Sequence, residues 1–554
     1  MKKILNSILA ASLLASTTMV VTSCIDETVP TSSATEEQIK SSDRSLSALL
    51  WGMPASLNTE DANNAHYRFG YGALMKVRDA MTGDGPVATN SYNHFSSWAR
   101  NLYQGENYAI GQYIWNVSYE FIHSANLMLN AVPDVENASD DVKGYVGAAY
   151  AFRAMEYLDL ARMYEFLPND KTDAVNKDGN SVLNLTVPIV TEKTTEEEAR
   201  HNPRATRAEM AKFIEDDLNN AEKYIVNLNE TNKTLPHLDC VYGLKARLYM
   251  WLEDYAKAQE YAEKAIEETS LTRPMNEDEM LNTSKGFNDI SKWMWGGALV
   301  KENDAVQTGI VNWCSWQCNE TSFGYNAYGP RTLLDASMYA RLSNTDIRKN
   351  LWAPGTFNRF PNWYKEHCVG INDCLNNDGS INAGKDEVNY RRWVAYTSVK
   401  FRPNLGKYND LQIGAAMAYP IMRLEEMYFI EIEALAHQNA ELGKQLLESF
   451  MKGYRDPEYS TLATTQEDII EEIVFQKRIE LWGEGQTFFD IKRLNMSVTR
   501  GYSGTNHISG QRYNTNGRPA WMNLVIVQTE QNNNEAVMGY NNPDPSGKYT
   551  NWSE

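Results

Sequence analysis

Apolar residues recur three and four apart along most of this chain, and the pattern predicts helices near residues 36–52, 108–131, 140–166, 205–227, 237–251, 254–270, 420–437, 441–454 and 466–493. Between them, at 55–105, 168–203, 272–419 and 497–554, helical periodicity fails. The pair from Leu238 to Thr269 is the clearest repeat, with Ala246, Tyr249, Ala258, Ala262 and Ala265 at the small and aromatic spacings of a tetratricopeptide unit. Small residues let two antiparallel helices approach closely. A weaker echo runs through Ala434, Leu446 and Phe450. Several such hairpins stacked together predict a mainly α fold, a tetratricopeptide-like superhelix with loop-rich insertions at 55–105 and 272–419. Within the second insertion Trp293 and Trp295 alternate like a strand.

The first apolar run has a different meaning. Lys2 and Lys3 precede Ile4 to Val21, which ends at Val21-Thr22-Ser23-Cys24. A run this short, basic on its left and closed by a small residue before a cysteine, reads as a lipoprotein signal peptide over 1–23 and not a membrane span. Cys24 is then the lipidation site, 24–35 a polar linker and 36–554 the binding domain. Several acyl chains, at about 0.8 kcal/mol per buried methylene, hold such a protein on a membrane.

Between Arg478 and Arg493 charges and apolar residues interlock around a Gly-bearing break. Phe475, Ile479 and Trp482 form one helical stripe, with Glu480 and Glu484 one turn apart beside it. Glycoside hydrolysis needs carboxyl groups on opposite sides of a sugar bond, whereas neighbours four apart project the same way. The pair is therefore expected to fix a helix junction by pairing with Arg478, Arg493 or backbone N–H groups.

Arg478, Glu480-Leu481, Glu484-Gly485, Asp490-Ile491 and Arg493 also match in register the C-terminal signature of the SusD/RagB family, surface lipoproteins of the Bacteroidetes. Thr487 stands where the family has an Arg. The block from Pro420 to Ala436, containing Arg423, Glu425, Glu426 and Glu433, resembles a second family helix, and the segments Asn116–Asn130 and Arg153–Pro168 fit in order. The resemblance implies a SusD-like helical superhelix. It further implies a non-enzymatic outer-membrane lipoprotein, exposed at the cell surface, that binds glycan oligomers and delivers them to a SusC-like TonB-dependent transporter. Peptide capture, as in the RagB branch, is the alternative within binding proteins; a secreted glycoside hydrolase is the alternative of another class. Asp26 and Glu27, just after Cys24, look like the acidic export signal of such lipoproteins.

Charge and composition narrow the partners. The net charge of −20, which becomes −22 once Lys2 and Lys3 are cleaved away, repels nucleic acid and anionic headgroups. Among 14 Trp and 31 Tyr, seven Trp fall within 272–419. Aromatic faces stack on the C–H faces of sugars while Asn and Asp serve the hydroxyls, so the expected contacts are Asp84 and Trp98 in the first insertion and Trp313, Trp316, Tyr325 and Tyr328 in the second. Core packing is the competing use of each Trp. Polyanionic glycans are expected to bind poorly unless Arg78, Arg100 or Arg331 form a basic pocket.

No cofactor or metal site is expected. Cys314 with Cys318 and Cys368 with Cys374 lack zinc spacing, though such pairs can oxidise outside the cytoplasm, and Cys240 reads as a buried small hydrophobe. Asn376-Asn-Asp378-Gly379 imitates the middle of a calcium loop, but Cys374 and Lys385 occupy places that need oxygen donors. It reads as a turn.

Overall fold

The computed structural model describes residues 43–59, 65–355, 362–369, 376, 378 and 394–554. The signal peptide, Cys24, the linker, Cys374, Gly379 and Lys385 lie outside these residues.

The predicted helices form. In chain order the long ones are α1 Asp43–Ser56, α2 Gly70–Ala80, α3 Ala109–Ala131, α4 Asp140–Tyr164, α5 Arg207–Ile225, α6 Leu238–Leu252, α7 Tyr255–Glu268, α8 Leu424–Gln438, α9 Ala440–Tyr454, α10 Gln466–Glu480 and α11 Thr487–Arg493. Their starts are written locally: Ser139, Thr206, Asp254 and Thr465 each accept a backbone N–H of the first turn, leaving fewer unmet donors at the helix ends. α3 packs on α4, α4 on α5, α6 on α7, α7 on α8 and α8 on both α9 and α10, which is the antiparallel stacking of a helical repeat. Ala246, Ala258, Ala262 and Ala265 are fully buried where α6 and α7 meet. Asn126 of α3 accepts from Arg153 Nη1 of α4 at 2.8 Å, and Arg153 also pairs with Asp217 of α5 at 2.7 Å. A buried arginine thus ties three successive helices together.

Three details depart from the periodicity. The expected helix over 466–493 is two helices, because Leu481–Gln486 turns between them through Gly483 (φ +78°) and Gly485 (φ +70°). A Cβ on Gly485 would stand 2.8 Å from the Met75 Cα, so side-chain bulk is excluded as well as a negative φ. The expected helix at 420 starts only at Leu424, since Ala418–Met422 forms strand β2, antiparallel to β1, Trp295–Ala298. That two-stranded ribbon clips together the ends of the second insertion. Finally, α2 lies inside the first insertion; Gly70 to Asp79 are all buried, so no polar face marks it in the sequence.

Trp293 and Trp295 are both fully buried, one against Phe287 and the other against Phe152. Cys240, Cys314, Cys318 and Cys368 are buried free thiols. No helix among the described residues is long and apolar enough to cross a membrane.

Candidate functional site

Glu480 and Glu484 sit at the helix junction but choose other partners than the nearest in sequence. Glu480 receives Arg455 Nε at 2.8 Å and Arg423 Nη1 at 3.3 Å, with Arg348 at 3.5 Å; Glu484 receives Lys400 Nζ at 2.6 Å and Arg423 Nε at 2.9 Å. Burial opposes ionisation of Glu480, yet Arg455, Arg423 and Arg348 hold its carboxyl below the ordinary range. Arg478 and Arg493, the expected partners, are engaged elsewhere. Arg478 Nε donates to Asp84 at 3.1 Å, and Arg493 pairs with Glu433 and Asp490. The two carboxylates face cations from separate elements, with no open face for a sugar.

The six expected ligand contacts divide sharply by exposure. Trp98, Trp313, Trp316 and Tyr325 are almost wholly buried, and Asp84 is spent on Arg478 while its carbonyl accepts from Trp482 Nε1 at 2.9 Å. Trp313 packs edge-on to Phe401, and Trp316 edge-on to Phe95. These indoles are wedges beneath the surface and present no ring face to solvent. Tyr328 alone of the six is open, at 57 % exposure.

Tyr328 has a partner that aromatic counting missed. Tyr92, 42 % exposed, stacks on it with ring centroids 4.6 Å apart and planes 25° from parallel. Tyr92 adopts φ +59°, a left-handed conformation that a non-glycine residue takes only when its surroundings compel it. Tyr328 closes the short helix Gly324–Tyr328, which Gly329 terminates at φ +109°.

A second aromatic layer supports the pair. His66 and His94 stack face to face at 3.7 Å, with Tyr92 edge-on to both. Tyr325 Oη lies 2.9 Å from His66 Nδ1 and accepts the backbone N–H of His94 at 3.3 Å. Burial first, and His94 second, push the His66 imidazole down to about 3; burial lowers that of His94 too. Both rings are therefore neutral at pH 7, which removes the repulsion that two stacked imidazoliums would suffer. Below them Phe95 and Trp316 continue into the core.

Two loops bring these rings together. The Ala88 N–H donates to Arg331 O at 2.9 Å and the Leu333 N–H to Pro86 O at 2.8 Å, so 86–88 runs beside 331–333. Arg331 is buried and donates to Asn326 Oδ1 at 2.7 Å. Arg78 is buried against Asp159. Neither arginine is free to make a basic pocket; Arg100, the third candidate, is exposed at the end of the short helix Ser96–Ala99. From Gly85 to Phe95 and from Phe323 to Pro330 the chain carries no Asp, Glu, Lys or Arg, while Thr89, Asn90 and Ser91 lead into Tyr92 with hydroxyl and amide side chains, Asn90 accepting from Gln511 Nε2 at 2.8 Å. The site is a neutral aromatic platform with a polar rim. Among the described residues no group of His, Cys, Asp or Glu is placed to hold a metal ion.

Tyr92 and His66 were the residues sequence reasoning missed. The signal that could have found Tyr92 was present: an aromatic between Asn90, Ser91 and Asn93 in a polar stretch. The larger Trp98 nearby drew the inference instead.

Two family models match separate parts of the chain. One, described as starch-binding and associating with the outer membrane, covers 29–250; the other, described as the SusD family, covers 343–551. No curated protein matches. Among solved structures, a SusD-like carbohydrate binding protein from Bacteroides vulgatus superposes with a TM-score of 0.66 at 21% identity over 89% of this chain and 96% of its own. A SusD superfamily protein from Bacteroides thetaiotaomicron gives 0.64 at 18% identity over 90% and 99%. One from Parabacteroides distasonis gives 0.62 at 14% over 91% and 98%. At these identities the likeness is one of fold.

Proposed function

The chain belongs to the SusD/RagB family, and from that premise we propose that it is a non-enzymatic surface lipoprotein whose Tyr92–Tyr328 platform captures a neutral oligosaccharide for a SusC-like TonB-dependent transporter. The observation that carries the reading is the exposed, mutually stacked tyrosine pair raised on the stacked imidazoles of buried His66 and half-buried His94. Leaving a large aromatic in water forfeits roughly 1.5–3 kcal/mol of burial, so a rigid, solvent-facing pair set by a left-handed Tyr92 fits a surface kept free for a ligand.

The neutrality of both loops sets the ligand class. A sugar ring offers an apolar C–H face to a tyrosine face and hydroxyls to Thr89, Asn90 and Ser91, and it needs no counter-ion. An acidic glycan would meet a chain of net charge −20 with Arg78 and Arg331 already engaged. Paired-carboxylate hydrolysis has no acid on either platform loop, and Glu480 and Glu484 are locked into cationic partners. In this reading the chain divides as 1–23 signal peptide, 24–35 linker and 36–554 binding domain, anchored by acylated Cys24.

Calorimetry against a panel of neutral and acidic glycans, with a mixed peptide library beside it, tests the proposal. Binding of at least one neutral oligosaccharide in the micromolar to millimolar range, about −4 to −8 kcal/mol, is expected. Peptide binding with no glycan response sinks the glycan reading in favour of peptide capture. Product release on prolonged incubation sinks the non-enzymatic one.

A further inference from the structure

The segments that carry the family resemblance converge on an internal cavity that glycan capture does not use. It holds about 30 Å³ of space, enough for one small ion or water, between the C-terminal end of α4, α6, α8, α10 and α11. Its walls bear five cationic side chains, Arg162, Arg247, Lys477, Lys492 and Arg493, against three carboxylates, Glu165, Glu426 and Asp490.

The cations are only partly satisfied. Arg247 gives Nε and Nη2 to Glu426 at 2.7 and 2.6 Å, and Arg493 gives Nε to Asp490 at 3.1 Å and Nη2 to Glu433 and Asp490. That leaves Arg247 Nη1 and Arg493 Nη1 buried without a hydrogen-bond acceptor. Two unpaired guanidinium donors beside one cavity are costly, since each forgoes a charge-assisted bond that water would have supplied. Lys492 Nζ meets only the carbonyls of Met163 and Glu165, at 2.9 and 2.7 Å, and no carboxylate. Arg162 lies over the Phe489 ring at 3.6 Å and spends its charge on Asp159 at 2.6 Å. Of the three lining carboxylates, Glu426 and Asp490 are spent on Arg247, Lys477 and Arg493, which leaves Glu165. Its Oε2 accepts from Trp251 Nε1 at 2.8 Å, and its Oε1, though without a hydrogen bond, lies 3.5 Å from Arg207 Nη1, which draws its charge away.

From this geometry we infer that the cavity is a monovalent anion site, filled in solution by a halide such as chloride held between Arg247 Nη1 and Arg493 Nη1. Asp159, Glu426, Glu433 and Asp490 answer Arg162, Arg247, Lys477 and Arg493, which leaves Lys492 as the lining cation with no carboxylate; a halide accepts both orphan N–H groups and offsets that charge, whereas a neutral water would do only the first. Burial first, with Arg518 and Arg204 adding to it against Glu165, pushes the Lys492 ammonium well below its ordinary range, and a bound anion beside it opposes that loss of charge. The site would staple the C-terminal signature, through Asp490 and Arg493, to the end of α4 and to α8. It is independent of the tyrosine platform, so glycan binding and anion binding can fail separately.

The test is a crystal of the full mature chain soaked in sodium bromide and measured at the bromine absorption edge. An anomalous peak in the cavity between the two guanidinium groups is expected. The companion measurement is thermal unfolding at matched ionic strength. Chloride and bromide should raise the midpoint by a few degrees in a saturable way, sulfate, which is too large for the space, should not, and Arg493→Lys should abolish the difference. An ordered water with no anomalous signal overturns the proposal. So does bromide found only at the surface, or unfolding that responds equally to halide and sulfate.

Discussion

Tyr92 and Tyr328 come from segments far apart in sequence and lie stacked at 4.6 Å, each largely exposed. Neither ring supports the core, so truncation separates binding from folding. Tyr92→Ala and Tyr328→Ala should each weaken the bound glycan by about 0.5–1.5 kcal/mol, roughly two- to tenfold in Kd, with the unfolding midpoint within a degree or two of the parent. Calorimetry and thermal unfolding on the same samples check this. Unchanged affinity in both variants would remove the platform from the ligand path.

The buried indoles should behave in the opposite way. Trp98, Trp313 and Trp316 are each no more than 2 % exposed, and truncation leaves a cavity that rigid neighbours fill poorly. Alanine at any of them should cost about 3–5 kcal/mol of stability in denaturant unfolding. Any loss of glycan binding should follow the unfolded fraction. A variant that keeps its stability and loses its ligand would put an indole back in the site.

Glu480 and Glu484 form the junction between α10 and α11. Glu480→Gln removes one carboxylate from a dry interior where Arg455, Arg423 and Arg348 converge, leaving Glu425 and Glu484 to answer Arg455 and Arg423, and about 3 kcal/mol of destabilisation is expected. Glu484→Gln should act similarly through Lys400 and Arg423. Ligand affinity of the folded fraction should stay within a small factor. Equal stability with lost affinity would transfer these residues from scaffold to site.

The neutral His66–His94 stack predicts an acid-sensitive platform. His66 titrates at about 3 in the folded chain against 6.5 in the unfolded one. Between those values the unfolded chain binds more protons, so this contribution to stability is complete above pH 6.5 and declines as pH falls toward 3. Relative to His66→Gln, the parent should lose about 1–2 kcal/mol between pH 7 and pH 4, after allowance for solvent screening. Parallel pH profiles for the two proteins would contradict the linkage.

Cys24→Ala tests the anchor. With no other segment read as a membrane anchor, the variant should lose fatty-acid label and appear in the soluble fraction. Label persisting on the variant would remove the lipoprotein reading.

The repeat scaffold was legible because helical burial is periodic: Ala258, Ala262 and Ala265 mark a close helix contact in the chain as plainly as in the fold. α2 was not legible, since a helix buried on every side has no polar stripe. The structural role of Glu480 and Glu484 followed from their i, i+4 spacing, but Arg348, Lys400, Arg423 and Arg455 come from separate elements and no local pattern joins them.

By itself the sequence determined the helical stack, the lipoprotein signal as an expectation, the family signature and the neutral, amide-rich character of the two insertion loops. Each is a local property, carried by residues within a few turns of one another. Only the tertiary structure decided which aromatics face water. Trp98 and Tyr92 lie six positions apart with similar neighbours, yet one is a core wedge and the other a platform. The difference is made by contacts from distant segments: Trp316 packs edge-on to Phe95 in the interior, while Tyr325 fixes His66 and His94 beneath the outer rings. Burial depends on what the rest of the chain packs against a residue, and that is not written beside it.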